Sequence, residues 1–140
     1  MQEKTVERHI RKYLIDKGWK IRKAPKRVGE HGVDIHAWHP KWRRLLYIEV
    51  KGGTSGRYKV QAMHCAFYMV LGQIISRMSI QGNDPKRGRI YAIGIPYSWL
   101  RIFKNKIKKM KYGWKLLKLR IFLVKTTGEV IEKPYGLMLK

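Results

Sequence analysis

The stretch VDIHAWHPKWRRLLYIEVK, residues 33–51, predicts two strands joined by a turn. Apolar and polar residues alternate within VDIHAWH and RLLYIEVK, and the PKWR segment between them contains a turn-forming proline. Successive side chains on a strand point to opposite faces, so pairing the two apolar faces places Asp34, Glu49 and Lys51 together on the other face. The stretch therefore predicts a surface on which two carboxylates and a lysine meet.

The rarity of acidic residues makes their positions informative. The 140 residues include 9 Asp and Glu, yet Asp34 and Glu49 lie inside predicted strands, where carboxylates are disfavoured and a buried charge needs a partner or a metal. Glu7 lies near the apolar edge of the first predicted helix. Convergent carboxylates repel each other without a cation, and hard oxygen ligands suit Mg²⁺ or Mn²⁺. An ordinary solvent-exposed strand face is the alternative interpretation.

Periodicity outside this hairpin predicts helices packed on a sheet. EKTVERHIRKYLIDKG predicts a helix over about residues 3–17, WKIRKAP a short strand, and residues 58–80 a long helix. RIYAIGIP predicts a further strand, SWLRIFKNKIKKM a basic amphipathic helix, and WKLLKLRIFLVKTTGEVIEK two strands with a turn at Gly128. This order predicts an α/β (α+β) fold, a central mixed β-sheet flanked by helices, in a single domain spanning residues 1–140.

The charge balance predicts a polyanionic partner. Lys and Arg number 32 against 9 Asp and Glu, which gives a formal charge of +23. Nucleic acid is favoured because neutralising its phosphates releases counterions, and an anionic membrane surface is the alternative. We find no apolar run of about 18 residues and no signal segment, and therefore expect no membrane association and a cytoplasmic protein, with a nucleoid-associated or viral origin left open. No small-molecule substrate is expected. An internal disulfide is not expected either, since Cys65 is the single cysteine.

Four basic segments, at residues 23–27, 41–44, 57–59 and 104–111, are the candidates for contact with the DNA backbone. The last of them lies within RIFKNKIKKMKYGWK, residues 101–115, whose aromatic residues among lysines suit base contacts. A solvated face, or targeting to a membrane surface, is the alternative for this segment. The candidate residues are Lys23, Lys26, Arg27, Lys41, Arg43, Arg44, Arg57, Lys59, Lys104, Lys108, Lys109 and Lys111. His36 is a further candidate for a phosphate contact.

Asp34, followed on the next strand by Glu49-Val50-Lys51, resembles the D…(D/E)-X-K motif of the PD-(D/E)XK nuclease superfamily. TVERHIRKYLIDKGWKIRKAP and the glycine before Asp34 are similar to the start of archaeal Holliday junction resolvases and restriction-like relatives. QAMHCAFYMVLGQIISRM followed by RIYAIGIP is similar to restriction-like members of the superfamily. Val33 stands where the motif name has proline.

The resemblance implies a restriction endonuclease-like core and a catalytic site. Asp34 and Glu49, joined by Glu7 and the main-chain carbonyl of Val50, would hold one or two Mg²⁺ or Mn²⁺ ions for an in-line displacement at a phosphate. Lys51 would orient the attacking water or stabilise developing charge. Gln61 on the long helix is a candidate for contact with this site, ahead of Gln73.

The sequence thus predicts a divalent-metal-dependent DNA endonuclease that hydrolyses phosphodiester bonds and is either restriction-like or junction-resolving. A homodimer is expected because both strands must be cut, and branched DNA is among the candidate substrates. The alternatives are a non-catalytic DNA-binding protein on a nuclease scaffold and an RNA nuclease, since phosphates look alike to lysines.

Overall fold

The computed structural model describes residues 1–22, 33–53, 59–78 and 88–140. Helices α1 (Glu3–Asp16), α2 (Lys59–Met78), α3 (Leu100–Lys109) and α4 (Lys111–Leu117) accompany a single sheet within these residues. Its strands are β1 (Lys20–Ile21), β2 (Ile35–His39), β3 (Arg44–Val50), β4 (Gly88–Pro96), β5 (Arg120–Val124) and β6 (Val130–Lys133). Short 3-10 turns at Tyr97–Trp99 and Tyr135–Leu139 precede α3 and follow β6.

The sheet is mixed, and its strands lie in sequence order from β1 to β6. The pairs β1–β2, β2–β3 and β5–β6 are antiparallel, whereas β3–β4 and β4–β5 are parallel. The chain reverses directly between β2 and β3, while α2 lies between β3 and β4 in sequence, as a parallel connection requires. The predicted α/β (α+β) architecture, a central mixed sheet flanked by helices, is confirmed.

Helix α1 covers one face of the sheet. Its fully buried residues Val6, Ile10 and Leu14 recur at helical spacing and join a core cluster with Ile48 and Val50. The helix ends at Asp16, and the chain turns away at Gly18, whose φ of 91° is accessible to glycine, while the Trp19 amide donates to the Leu14 carbonyl at 2.9 Å. A Cβ at Gly94 would overlap the Ile10 side chain, so this glycine allows the close approach of α1 to β4.

Helices α2, α3 and α4 pack on the opposite face. Phe67 of α2, Phe103 of α3 and Trp114 of α4 are buried in one cluster with Ile93 and Ile95 of β4. Helical spacing in the sequence predicts that Val60 and Ile75 belong to the face of α2 that packs on the sheet, and this is wrong, because they are 58% and 44% exposed. No helix in the described parts of the chain is long and apolar enough to cross a membrane.

Helix α4 differs from the prediction, which placed the start of a strand at WKLLKL. The structure instead has a helix from Lys111 to Leu117, and β5 begins at Arg120. The Trp114 ring is buried and its indole N–H donates to the Tyr135 carbonyl at 3.0 Å, so tertiary packing supports this short helix. Lys118, with a φ of 52°, ends it and turns the chain into β5.

Candidate active site

Asp34 and Glu49 lie side by side on the sheet face that α2 covers. Ile35 pairs with Ile48 across the β2–β3 hairpin, which places Asp34 next to the end of β3. The Val50 amide donates to Asp34 Oδ2 at 2.7 Å, and the two carboxyl groups also hydrogen bond with each other. Glu49 is only 3% exposed. The pairing of the apolar faces therefore produces the predicted convergence of the two acids.

Arg77, in the last turn of α2, is the cationic partner of this pair. Its Nε donates to Glu49 Oε1 at 3.2 Å, with 15% of the arginine side chain exposed. Burial, and then the charge of Asp34, raise the pKa of Glu49 to about 7, while Arg77 acts in the opposite direction. Two adjacent carboxyl groups with one guanidinium favour retention of a proton or binding of a further cation.

Lys51 lies directly after the end of β3, two residues beyond Glu49. Its amide donates to the Gly94 carbonyl at 2.9 Å, which continues the β3–β4 ladder one residue beyond Val50. Alternation along the extended chain therefore places Lys51 on the face of Glu49, while the buried side chain of Val50 points to the α1 face.

The chain leaves β3 through two glycines whose surroundings fix its path. A Cβ at Gly52 would overlap the backbone of Glu3, and one at Gly53 would press into the Trp99 ring at 2.6 Å. Larger residues at these positions would displace the N-terminus of α1 or the 3-10 turn before α3. The segment after Lys51 is therefore held by both layers of helices.

Glu7 is linked to the backbone of Asp34 through the guanidinium of Arg11. Arg11 Nη2 donates to Glu7 Oε1 at 3.0 Å and to the main-chain carbonyl of Asp34 at 2.8 Å. Within residues 1–22, 33–53, 59–78 and 88–140, no group of three or more His, Cys, Asp or Glu side chains is arranged to hold a metal ion. A metal site in this arrangement would rest on Asp34 and Glu49, and the role of Glu7 as a ligand stays a prediction.

The structure does not bring Gln61 to the carboxylates. Gln61 is exposed in the first turn of α2, whereas Arg77 in the last turn contacts Glu49. At about 1.5 Å per residue these two positions are roughly 24 Å apart along the helix. Gln73, one turn before Arg77, lies on the side of α2 that faces the carboxylates.

The basic candidates occupy separate surfaces. Lys41, Arg43 and Arg44 are exposed at the turn between β2 and β3, and Lys59 is exposed at the start of α2. On α3 and α4, Lys108, Lys109 and Lys111 are exposed and Lys104 is half-buried. Lys23, Lys26, Arg27 and Arg57 lie outside the described residues.

Two solved structures share this fold. One is an XisH family protein from Nostoc punctiforme PCC 73102, with a TM-score of 0.56, 18% identity, and coverage of 93% of this chain and 98% of the other. The second is an fdxN element excision controlling factor protein from Anabaena variabilis, with a TM-score of 0.56, 18% identity, and coverage of 94% and 98%. No protein-family model and no curated protein matches the chain. At this identity the likeness establishes the fold.

Sequence reasoning missed Arg77, although a signal was present. The helix α2 carries no Lys, Arg, Asp or Glu between Lys59 and Arg77, so an arginine at its end is conspicuous in a helix that packs on a sheet bearing two carboxylates. It also missed a role for Tyr47, which stacks on His36, and for Tyr91, which stacks on Tyr47 on the same face. Burial, and then the charges of Arg22 and Arg89, lower the pKa of His36.

Proposed function

We propose that the protein is a divalent-metal-dependent DNA endonuclease of the PD-(D/E)XK type. The observation that carries the proposal is the pair of half-buried Asp34 and buried Glu49, which share a hydrogen bond at the end of a β-hairpin with Lys51 on the same strand face. A structural role alone is a poor account of this pair, because burying Glu49 beside a second carboxyl group is costly unless a cation or a proton compensates.

The donor set fits a hard divalent cation. Asp34 and Glu49 supply carboxylate oxygens, and the carbonyl of Val50 is the third proposed ligand, so Mg²⁺ or Mn²⁺ would complete its coordination with water and substrate phosphate. When bound, such an ion lowers the pKa of a water molecule and stabilises charge on the phosphate. Lys51 would orient the attacking water and stabilise the charge that develops on the phosphate oxygens.

Arg77 has a defined part in this proposal. In the metal-free protein its guanidinium offsets the charge of Glu49 across 3.2 Å. With a cation bound, the same guanidinium would contact a phosphate oxygen, for which its planar donor fork is well suited. Arg77 is therefore proposed to hold the empty site together and to contact the substrate in the loaded one.

DNA is the proposed substrate. The formal charge of +23 and the exposed basic residues of the β2–β3 turn and of α3 and α4 suit a phosphate backbone. One structural neighbour is named for control of the excision of an element, which favours DNA over RNA. Because duplex cleavage requires both strands to be cut, a homodimer is proposed, and its mass in solution would be measured by analytical ultracentrifugation.

The test is cleavage of supercoiled plasmid, a four-way junction and a structured RNA, each with Mg²⁺ and with EDTA. Mg²⁺-dependent cutting of DNA that is lost in Asp34→Asn, Glu49→Gln and Lys51→Ala, with DNA binding retained, is expected. Asp16→Asn, on an exposed acid of α1, is the matched control and should cut normally. Normal cutting by Glu49→Gln would refute the proposed site.

A non-catalytic DNA-binding protein is the second candidate, and one observation favours it. The ion pair between Arg77 and Glu49 already supplies a positive charge to the carboxylates, as a structural network would. In that case none of the three substrates is cut, with or without Mg²⁺, although binding stays strong and sensitive to salt.

A further inference from the structure

Unpartnered polar atoms surround the carboxylate pair. Among the described residues, the buried side-chain atoms with no hydrogen-bond partner are His36 Nε2, Gln73 Oε1 and the Tyr91 hydroxyl. Buried polar groups are nearly always paired in native proteins, so such atoms point to a ligand, ion or water that completes them. His36 Nε2 and the Tyr91 hydroxyl can both donate, which argues for one common ligand, whereas Gln73 Oε1 is an acceptor and needs a different partner.

The positions of these residues follow from the sheet register. His36 is the next residue after Asp34 on the same face of β2, and Tyr91 precedes Ile93, the partner of Glu49, on the same face of β4. Gln73 lies on α2, the helix that covers this face of the sheet, one helical turn before Arg77. The unpartnered atoms thus line the sheet face directly beside the carboxylates.

Stacked rings hold two of these atoms in place. His36 stacks on Tyr47 with ring centroids 4.5 Å apart and planes 16° from parallel, and Tyr47 stacks on Tyr91 at 5.3 Å and 19°. These three stacked rings form a row that crosses β2, β3 and β4. Tyr47, its member on β3, is two residues before Glu49, a distance of about 7 Å along the strand. This spacing is close to that between consecutive phosphates of one nucleic-acid strand.

Positive charge accompanies the row at both ends. The Arg22 amide donates to the His36 carbonyl at 2.8 Å, which places this arginine beside β2. Arg89 precedes Tyr91 on the same face of β4, and the charges of both arginines act on His36. Imidazole N–H, phenol O–H and guanidinium groups are all donors, so an oxyanion is the chemistry that His36, Tyr91 and the two arginines can bind together. Gln73 Oε1 is an acceptor and does not belong to this set of donors.

We propose that His36 and Tyr91, together with Arg22 and Arg89, form a phosphate subsite that binds the substrate strand one nucleotide from the phosphate held at the carboxylates. The position of the subsite relative to the cut rests on the proposed endonuclease function, whereas binding itself needs neither metal nor cleavage. Such a contact sets the register of the strand and carries no sequence information.

The test measures binding of a labelled DNA duplex in EDTA over a range of salt concentrations. Tyr91→Phe and His36→Phe keep the stacked rings and remove the polar atoms, so each should weaken binding about fivefold to tenfold. Arg22→Gln and Arg89→Gln should each lower the slope of log K against log salt by up to about 0.9, the value for one lost phosphate contact on duplex DNA.

Matched controls distinguish loss of the proposed subsite from the loss of any hydroxyl group or any positive charge on the protein surface. Tyr13→Phe removes a hydroxyl that bonds to Glu132 on another part of the surface, and Arg8→Gln removes an exposed arginine of α1. Tyr13→Phe should bind DNA with the affinity of the wild type, and Arg8→Gln should show the wild-type slope of log K against log salt. Thermal melting checks folding, and the phenylalanine variants keep the test decisive if an arginine variant does not fold.

The two proposals fail separately. Loss of affinity in the subsite variants without Mg²⁺-dependent cutting of any substrate would overturn the endonuclease and retain the phosphate subsite. Mg²⁺-dependent cutting together with unchanged affinity and salt slope in all four variants would overturn the subsite, and ordered water would then account for the unpartnered atoms.

Discussion

Arg77 Nε donates to Glu49 Oε1 across 3.2 Å, so the last turn of α2, rather than its first, approaches the carboxylates. This contact joins the long helix to the β2–β3 hairpin at one point in the molecule. It also gives a guanidinium partner to Glu49, a carboxyl group that is only 3% exposed, so the stability of the site depends on this ion pair.

Removal of Arg77 should destabilise the protein more at high pH than at low pH. Arg77→Met leaves Glu49 buried without its cationic partner, and breaking a buried ion pair costs about 3–5 kcal/mol. Protonation of Glu49 below its pKa of about 7 relieves most of this cost, so urea unfolding at pH 5 and pH 8 should give a clearly larger loss at pH 8. Arg101→Met, on an exposed arginine of α3, is the control, and its effect should stay within about 0.5 kcal/mol at both values.

The Arg77→Met, Glu49→Gln double variant completes a thermodynamic cycle. Because neutralising Glu49 removes the charge that Arg77 compensates, the double variant should be more stable at pH 8 than Arg77→Met alone. Strictly additive effects of the two substitutions would show that the ion pair contributes nothing to stability.

The metal-free protein should lose stability as pH rises through the titration of Glu49. The pKa of Glu49 is raised from 4.5 to about 7 in the folded state, so the folded state holds this proton more tightly than the unfolded state. The stabilisation is fully present below pH 4.5 and is lost as pH rises to about 7, with an upper limit of about 3 kcal/mol. The wild type and Glu49→Gln are compared by urea unfolding in EDTA between pH 4 and 8. A difference between them that does not fall across this range would contradict the assignment of the proton.

A divalent cation should raise the melting temperature, and more so at pH 8 than at pH 6. The proton on Glu49 competes with the metal below its pKa of about 7, so affinity increases as this proton is lost. A ligand that binds the folded state at 100 times its Kd adds about 2.7 kcal/mol of stability. Differential scanning fluorimetry with Mg²⁺ and Mn²⁺ measures the shift, which Glu49→Gln and Asp34→Asn should abolish. Asp16→Asn should retain it, and an equal shift in all three variants would place the bound ion elsewhere.

The face on which the acids meet was predictable because strand alternation leaves few choices. Once the apolar residues Ile35 and Ile48 must both face a core, Asp34 and Glu49 are forced onto the opposite side, and the structure shows this register. The mixed sheet flanked by helices followed for the same reason, since each predicted element had one clear apolar face. These features depend on local periodicity, which a sequence displays directly.

The contact of Arg77 on α2 with Glu49 was not predictable from strand alternation. This helix is apolar on more than one side, with Val60, Tyr68 and Met69 exposed, so periodicity did not single out the face that packs on the sheet. Which end of the helix meets the carboxylates depends on its tertiary packing against β4 and α3, and the choice of Gln61 over Gln73 lacked that information. Helix α4 was missed because its support, the bond from Trp114 to the Tyr135 carbonyl, joins positions distant in sequence.

The contact between α1 and β4 gives a final prediction that concerns the fold alone. A Cβ at Gly94 would overlap Ile10, whose side chain is fully buried, so Gly94→Ala overpacks this face of the sheet. Overpacking of this kind costs about 1–3 kcal/mol, measured as a lower midpoint of urea unfolding with an unchanged slope. The double variant Gly94→Ala, Ile10→Val removes the methyl group that clashes and should recover part of the loss, because the two side chains share one space. Ile107→Val, which shortens a buried side chain on the opposite face, is the matched control and should give no recovery. Equal losses in Gly94→Ala with and without Ile10→Val would show that the cost lies in the backbone of β4 and not in this contact.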